Sequence, residues 1–240
     1  MFRLFLCLLL CCTVAEKAVA KEELKFLIPD YPPYTYQERG HNKGIGYEAV
    51  SAIMADLQVA FSVELVPHFG RVVLELQKGE ADGFFLATES VERNKVAVLS
   101  DSVMTIEWTW VWLKQRIDLR PGTAEFKQQA QVSAQTNSNV YHWLKEQNYH
   151  VTAGTTDIRG LINLLIFKRV DAILLPQLTI DTLMEQQGIK ASILSFKHEI
   201  NLPLGIYINK TYLQQHPDFM QRLNAAVGRY LTKVAADKAS

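Results

Sequence analysis

The sequence predicts an α/β protein built from two similar units. Three observations lead there. Helix-like and strand-like periodicities alternate along most of the chain. Two segments, "KGEADGFFLA" and "FKRVDAILLP", share a basic residue, an aspartate and then an apolar strand, which puts Asp82 and Asp171 in matching places 89 residues apart. All three cysteines, Cys7, Cys11 and Cys12, fall within the first twenty residues, so the rest of the chain must rely on a hydrophobic core.

Residues 1–20 read as a secretory signal. Arg3 supplies an early positive charge, an apolar run covers residues 4–14, and Ala18-Val19-Ala20 forms an A-x-A site before a charged "KEE". The run is short for a membrane span. Leu10 before Cys11 argues against a lipid anchor. The expectation is a protein cleaved after Ala20 and released to the periplasm.

The elements follow in order. "LKFLI" (24–28) is a buried strand. "YEAVSAIMADL" (47–57) is a helix with Tyr47, Val50, Ile53, Met54 and Leu57 on one face. "FSVELV" (61–66) alternates as a strand, "RVVLELQKG" (71–79) is a helix closed by Gly79, and "ADGFFLA" (81–87) is the next strand. This βαβαβ order predicts a mainly parallel sheet flanked by helices. A second cycle has strands at 108–113, 131–134 and 170–175 and helices at 139–147 and 157–168. "LPLGIYI" (202–208) is a further strand. Pro217 opens a last helix whose stripe is Phe219, Leu223, Ala226, Tyr230 and Val234. The chain is expected to cross between the units through strands near 105–109 and 195–200.

Charge excludes several functions. Beyond residue 20 there are 23 basic and 24 acidic residues, which gives no electrostatic case for nucleic acid or an anionic membrane. The six histidines have no i, i+3 or i, i+4 pair, so no metal site is expected. There is no G-x-S-x-G elbow. "GIGYEA" (44–49) matches a dinucleotide string, but "QERGHNK" stands where a strand is required, and it reads as a turn opening a helix.

Polar and aromatic residues gather where strands end. "DYPPYTY" (30–36) follows the first strand, and its prolines stiffen a loop of three tyrosines. The tyrosines either cover the core edge or form a wall for a small ligand. Trp108, Trp110 and Trp112 share one strand face and read as core, with Trp108 the exception nearest the crossover. "LATESVERNKVAVLSD" (86–101) sets Thr88, Ser90 and Arg93 at a strand end, where α/β sheets place ligands.

The ordered set of these features resembles the amino-acid-type periplasmic solute-binding proteins, the extracytoplasmic receptors of ABC importers. It runs through YPPYTY, G-Y-E with its helix, L-x-x-G-x-A-D-G, T-x-S-x-E-R and a strand ending in S-D. It continues through "K-R-V-D-A" and "G-I-Y-I-N-K" and covers nearly the whole chain after residue 20. The resemblance implies a two-lobed periplasmic-binding-protein fold with two crossing strands as hinge. Lobe one would be residues 24–106 with 199–240, and lobe two residues 107–198. It implies a monomer with no catalytic residue, cofactor or metal. Such a protein closes on a small carboxylate-bearing solute, amino-acid-like or an aromatic acid, and serves an inner-membrane permease or a sensor.

The resemblance also carries over residue by residue. Arg93 falls on the arginine that grips a ligand carboxylate, and Thr88 on the hydroxyl before it. Tyr31 falls on the aromatic over the ligand and Phe69 on the residue facing it. Asn137 and Ser138 fall at the start of a second-lobe helix whose N–H groups meet the carboxylate. The acid that binds an α-ammonium should follow Asp171 by five residues, but Pro176 stands there, and Leu86 replaces a smaller residue. An uncharged-headed acid, an aromatic acid, or an amino acid held by Asp30 or Asp157 fit this pattern. Two alternatives are an exported dehydratase, with Asp30, Glu48 or Glu89 as nominal acids, and an accessory or signalling protein that has lost the site.

Overall fold

The computed structural model describes residues 23–66, 69–136, 138–152 and 154–239. The signal-like segment, its three cysteines and Asn137 lie outside these residues. Ten strands and nine α-helices are described. The first unit holds β1 (Glu23–Pro29), the small hairpin β2 (Tyr36–Glu38) and β3 (His41–Lys43), and α1 (Ile45–Leu57). It continues with β4 (Ala60–Val66), α2 (Phe69–Lys78), β5 (Gly83–Ala87), α3 (Val91–Val96) and β6 (Ala97–Leu99). β7 (Met104–Leu113) leads to α4 (Ala124–Gln129), β8 (Val132–Ser133), α5 (Asn139–Glu146), α6 (Ile158–Ile166), β9 (Ala172–Pro176) and α7 (Gln177–Gln187). A 3-10 turn (Ala191–Ile193) precedes the long β10 (Leu194–Asn209), followed by α8 (Lys210–Gln215) and α9 (Phe219–Ala239).

The strand order is β4-β1-β5-β10-β7-β9-β8, with β6 also paired to β10. β10 is the spine. Its first eleven residues run antiparallel to β7, from Leu194 opposite Leu113 to Leu204 opposite Met104. Its last residues pair with β5 and β6. The two crossing segments expected near 105–109 and 195–200 are thus one paired ribbon. The 202–208 strand is the end of a much longer one. α9 returns to pack on α1.

The sheet is mixed rather than mainly parallel. β1 pairs parallel with β4 and β5, and β8 with β9, as βαβ connections require. The pairs made by β7 and β10 are antiparallel, because these strands carry the chain out of one unit and back.

Alternation explains the apolar strands. Phe26, Ile28 and Phe85 join the core with Val50 and Ile53 of α1, while Leu27, Phe84 and Tyr207 join that with Val72 and Leu76 of α2. In the second unit Trp110 and Leu174 pack with Phe126 and Leu144, and Val111, Ile173 and Leu175 pack with Leu161, Ile162 and Leu165 of α6. Trp110 is fully buried and meets Phe126 edge-on at 5.1 Å between centroids. The Trp stripe is core at this position.

The "GIGYEA" turn opens α1 as expected. Gly44 has φ 116°, and a Cβ there would lie 2.3 Å from the Tyr34 carbonyl oxygen. The first helical N–H groups are taken by the tyrosine loop: Ile45 N–H donates to Pro33 O at 3.1 Å and Gly46 N–H to Tyr34 O at 2.9 Å. The loop and the helix start therefore fix each other.

Candidate functional site

A small cavity lies between the two halves of the sheet, above the paired β7 and β10. Its polar wall is Thr88, Arg93, Ser138 and Asn139, and its apolar wall includes Tyr31, Leu86, Ile106, Trp108, Val140 and Leu204. Its volume is about 30 Å³. That is room for about two waters, so a solute the size of an amino acid needs the halves to part.

Arg93 sits in α3, the short helix that follows the end of β5. Ser90 caps it, its hydroxyl accepting from Arg93 N–H at 3.3 Å. The guanidinium is only 4% exposed. Nη1 donates to the Thr88 carbonyl at 2.7 Å, and the group lies 5.7 Å from the Phe84 ring centroid. Phe84 in turn stacks on Tyr207 at 4.7 Å. The Tyr207 hydroxyl accepts from Ser90 N–H at 3.2 Å and donates to Asn94 at 2.8 Å. Two buried rings and a capped helix thus set the position of one cation. Desolvation pushes its pKa down to about 10, against the smaller opposing effects of Tyr207 and Glu92, so it stays charged at neutral pH.

Ser138 caps α5, its hydroxyl accepting from Tyr141 N–H at 3.1 Å. The first residues of that helix, Asn139 and Val140, form the cavity wall opposite Arg93. The positive end of α5 and the guanidinium therefore face the same space. Asn139 Nδ2 donates to Thr88 Oγ1 across it.

Tyr31 follows β1 and stacks on Tyr34 at 5.7 Å. It packs against core residues of both units. Burial drives its hydroxyl pKa far up, aided by Tyr34 and opposed by a hydrogen bond with Thr179 of α7. Thr179 Oγ1 also donates to Pro32 O at 3.3 Å, and Arg159 lies 3.7 Å from Asp30. The tyrosine loop is thus a point of contact between the halves.

Leu86 reaches the cavity through a fault in the sheet. Gly205 pairs with Ala87 and Ile206 with Phe85, which leaves Leu86 as the extra residue of a bulge, at φ 56°. Its side chain fills the space over Gly46, where a Cβ would come within 1.6 Å of a Leu86 methyl. A left-handed leucine is uncommon and strained, and such residues concentrate at functional sites.

Of the residues singled out from sequence, the structure brings Tyr31, Thr88, Arg93 and Ser138 to one cavity. Phe69 opens α2, with its side chain outside the described part, as is Asn137. Trp108, set apart from its stripe, lines the cavity while 3% exposed. Asn139 was missed, though it directly follows Ser138 in the helix start that was identified. Pro176 opens α7 and is the register partner of Trp108. Among the described residues no group of three His, Asp or Glu side chains is placed to hold a metal, and no helix is long and apolar enough to cross a membrane.

Two α/β halves, a long antiparallel ribbon between them and a cavity at the strand ends match known architectures. An ancestral arginine-binding protein, solved bound to arginine, superposes with TM-score 0.74 over 90% of this chain and 95% of its own, at 19% identity. The chain has the two-lobed periplasmic-binding-protein fold. An ancestral amino acid-binding protein, a precursor of cyclohexadienyl dehydratase, gives 0.72 over 90% and 92% of the two chains, at 19% identity. A histidine kinase sensor domain with similarity to periplasmic binding proteins gives 0.74 over 92% and 93%, at 15% identity. No protein-family model and no curated protein sequence matches the chain. At these identities the likeness defines the fold of the binding proteins and leaves the ligand to be argued from the cavity.

Proposed function

We propose that the chain is an exported solute-binding protein that closes its lobes on a small carboxylate-bearing ligand, for uptake through an inner-membrane permease or for sensing. The lobes would be residues 24–106 with 199–240, and residues 107–198. One observation carries the reading. A buried guanidinium from the first lobe and a helix N-terminus from the second share the wall of one cavity. An anion there gains from both lobes and so favours the closed arrangement. Arginine offers a planar fork of donors that suits a carboxylate.

The named structures include arginine-binding, amino-acid-binding and sensor proteins, which supports binding as the role common to this fold. The dehydratase alternative needs a group that moves a proton in the cleft. Among the described lining residues the cavity offers no carboxylate or imidazole, and binding is the better supported reading.

A thermal-shift screen of monocarboxylates tests it. A ligand at one hundred times its Kd should stabilise the protein by about 2.7 kcal/mol. Silence across carboxylates of all sizes would remove the reading, and turnover of a hit would move it to the enzyme. Export is tested separately: intact mass of protein from the periplasmic fraction should correspond to a chain starting at Lys21.

A further inference from the structure

We infer that the cavity selects a monocarboxylate with an uncharged, apolar body and discriminates against the α-amino acid of the same skeleton. The inference rests on the binding-protein reading above and adds the ligand class.

An ammonium brings three N–H donors and needs acceptors, above all a carboxylate. Three acceptors at this wall each already take one of the protein's own donors. The Thr88 carbonyl takes Arg93 Nη1 at 2.7 Å, Thr88 Oγ1 takes Asn139 Nδ2, and Ser138 Oγ takes Tyr141 N–H at 3.1 Å. Among the described lining residues there is no Asp or Glu. Of the acids outside that lining, Asp30 faces Arg159 at 3.7 Å, Glu89 accepts from Asn94 Nδ2 at 2.9 Å, and Glu92 and Glu146 line the neighbouring pocket. Pro176, which pairs with the cavity residue Trp108 at the end of β9, brings neither charge nor N–H donor.

The fixed charges reinforce this. Arg93 and the start of α5 both present positive potential, so an ammonium beside the carboxylate would meet like charge. The remaining wall is Trp108, Leu86, Ile106, Val140 and Leu204, which rewards apolar carbon and offers an ammonium nothing. Donors for an anion and an apolar seat are present together, and a seat for a cation is not among the described lining residues.

Calorimetry of the purified protein with matched pairs tests the inference. The pairs are acetate and glycine, propanoate and L-alanine, 4-methylpentanoate and L-leucine, and 3-phenylpropanoate and L-phenylalanine. In every pair that shows binding, the acid without the amino group should bind at least about tenfold more tightly, and Arg93→Met should weaken both members while leaving the acid the tighter of the two. Equal or tighter binding of the amino acid overturns the selectivity and leaves carboxylate binding standing. Tight binding of the plain acid that Arg93→Met leaves unchanged places the ligand elsewhere and overturns the inference. If no member of any pair binds, both the inference and the binding reading fail.

Discussion

Arg93 is buried and its guanidinium donates to the Thr88 carbonyl at 2.7 Å, so holding the charge there carries a desolvation cost. On the proposed reading a ligand carboxylate would add a further partner for that charge. Stability and binding therefore pull apart at this residue. Arg93→Met keeps the packing on Phe84 and removes the desolvated charge. Its unfolding free energy, from urea denaturation, should stay within about 1 kcal/mol of the parent. Its carboxylate affinity should fall by about 2–5 kcal/mol, and Arg93→Lys should recover only part of that. A clear loss of stability with affinity intact would mark a structural arginine. The pH dependence has a definite sign. Burial lowers the folded pKa, so the charge is a constant cost to stability at every pH where it is held. Arginine holds its charge throughout the accessible range, so carboxylate affinity should be flat from about pH 6 to 9. Arg93 and Thr88 were legible in the sequence because they sit in an ordered string of motifs. Leu86 showed only as a larger residue than usual. Nothing in the composition marks a leucine that will occupy a bulge at φ 56°.

The repeated aspartates show what the sequence similarity means at the level of elements. The Asp82 carboxylate accepts from Lys25 N–H at 2.8 Å, at the start of β1. The Asp171 carboxylate accepts from Gln131 N–H at 2.8 Å, just before β8. Each ties the entry of one strand to the start of its parallel neighbour. The two units thus share a backbone lock, and the similarity is structural rather than catalytic. Asp82→Ala should cost about 1–3 kcal/mol of unfolding free energy, because it removes the acceptor for a backbone N–H. The m-value should not change. Asp171→Ala should cost at least as much, since Arg116 also pairs with that carboxylate. Losses under about 0.5 kcal/mol at both sites would end the lock. Most long elements were legible because each has a clear period over two turns or more, but the eleven-residue α7 was not, its polar sequence carrying only a weak apolar stripe. The short helices α3, α4 and α8 and the β2–β3 hairpin were not, since six or fewer residues give no period to read. The parallel sheet was over-read because βαβ order says nothing about the strands that leave a unit.

At the scale of the whole molecule, the β7–β10 ribbon joins the lobes and the cleft contacts decide their separation. Among the described residues those contacts include Asn139 to Thr88, Thr179 to Pro32, Tyr31 against residues of both units, and the half-exposed Arg159–Asp30 pair at 3.7 Å. The exposed pair contributes about 0–1 kcal/mol, and a ligand that touches both sides would add to closure. A ligand held by Arg93 on one side and the start of α5 on the other must bridge the lobes to gain from both. That predicts coupling between the two sides. Arg93→Met alone should lose the first contact and, with it, much of the closure that brings α5 near the anion. Asn139→Ala alone should lose the side-chain bond to Thr88 and weaken closure. The double variant should then lose less affinity than the two single losses added together, by about 0.5–3 kcal/mol, the range found for residues that share a partner. Titration of the four proteins with one bound carboxylate measures it. Small-angle scattering at saturating ligand should show the parent contracting and the double variant contracting less. Losses that add within about 0.5 kcal/mol, with contraction unchanged, would mean that the ligand rests on one lobe and that the cleft does not close around it.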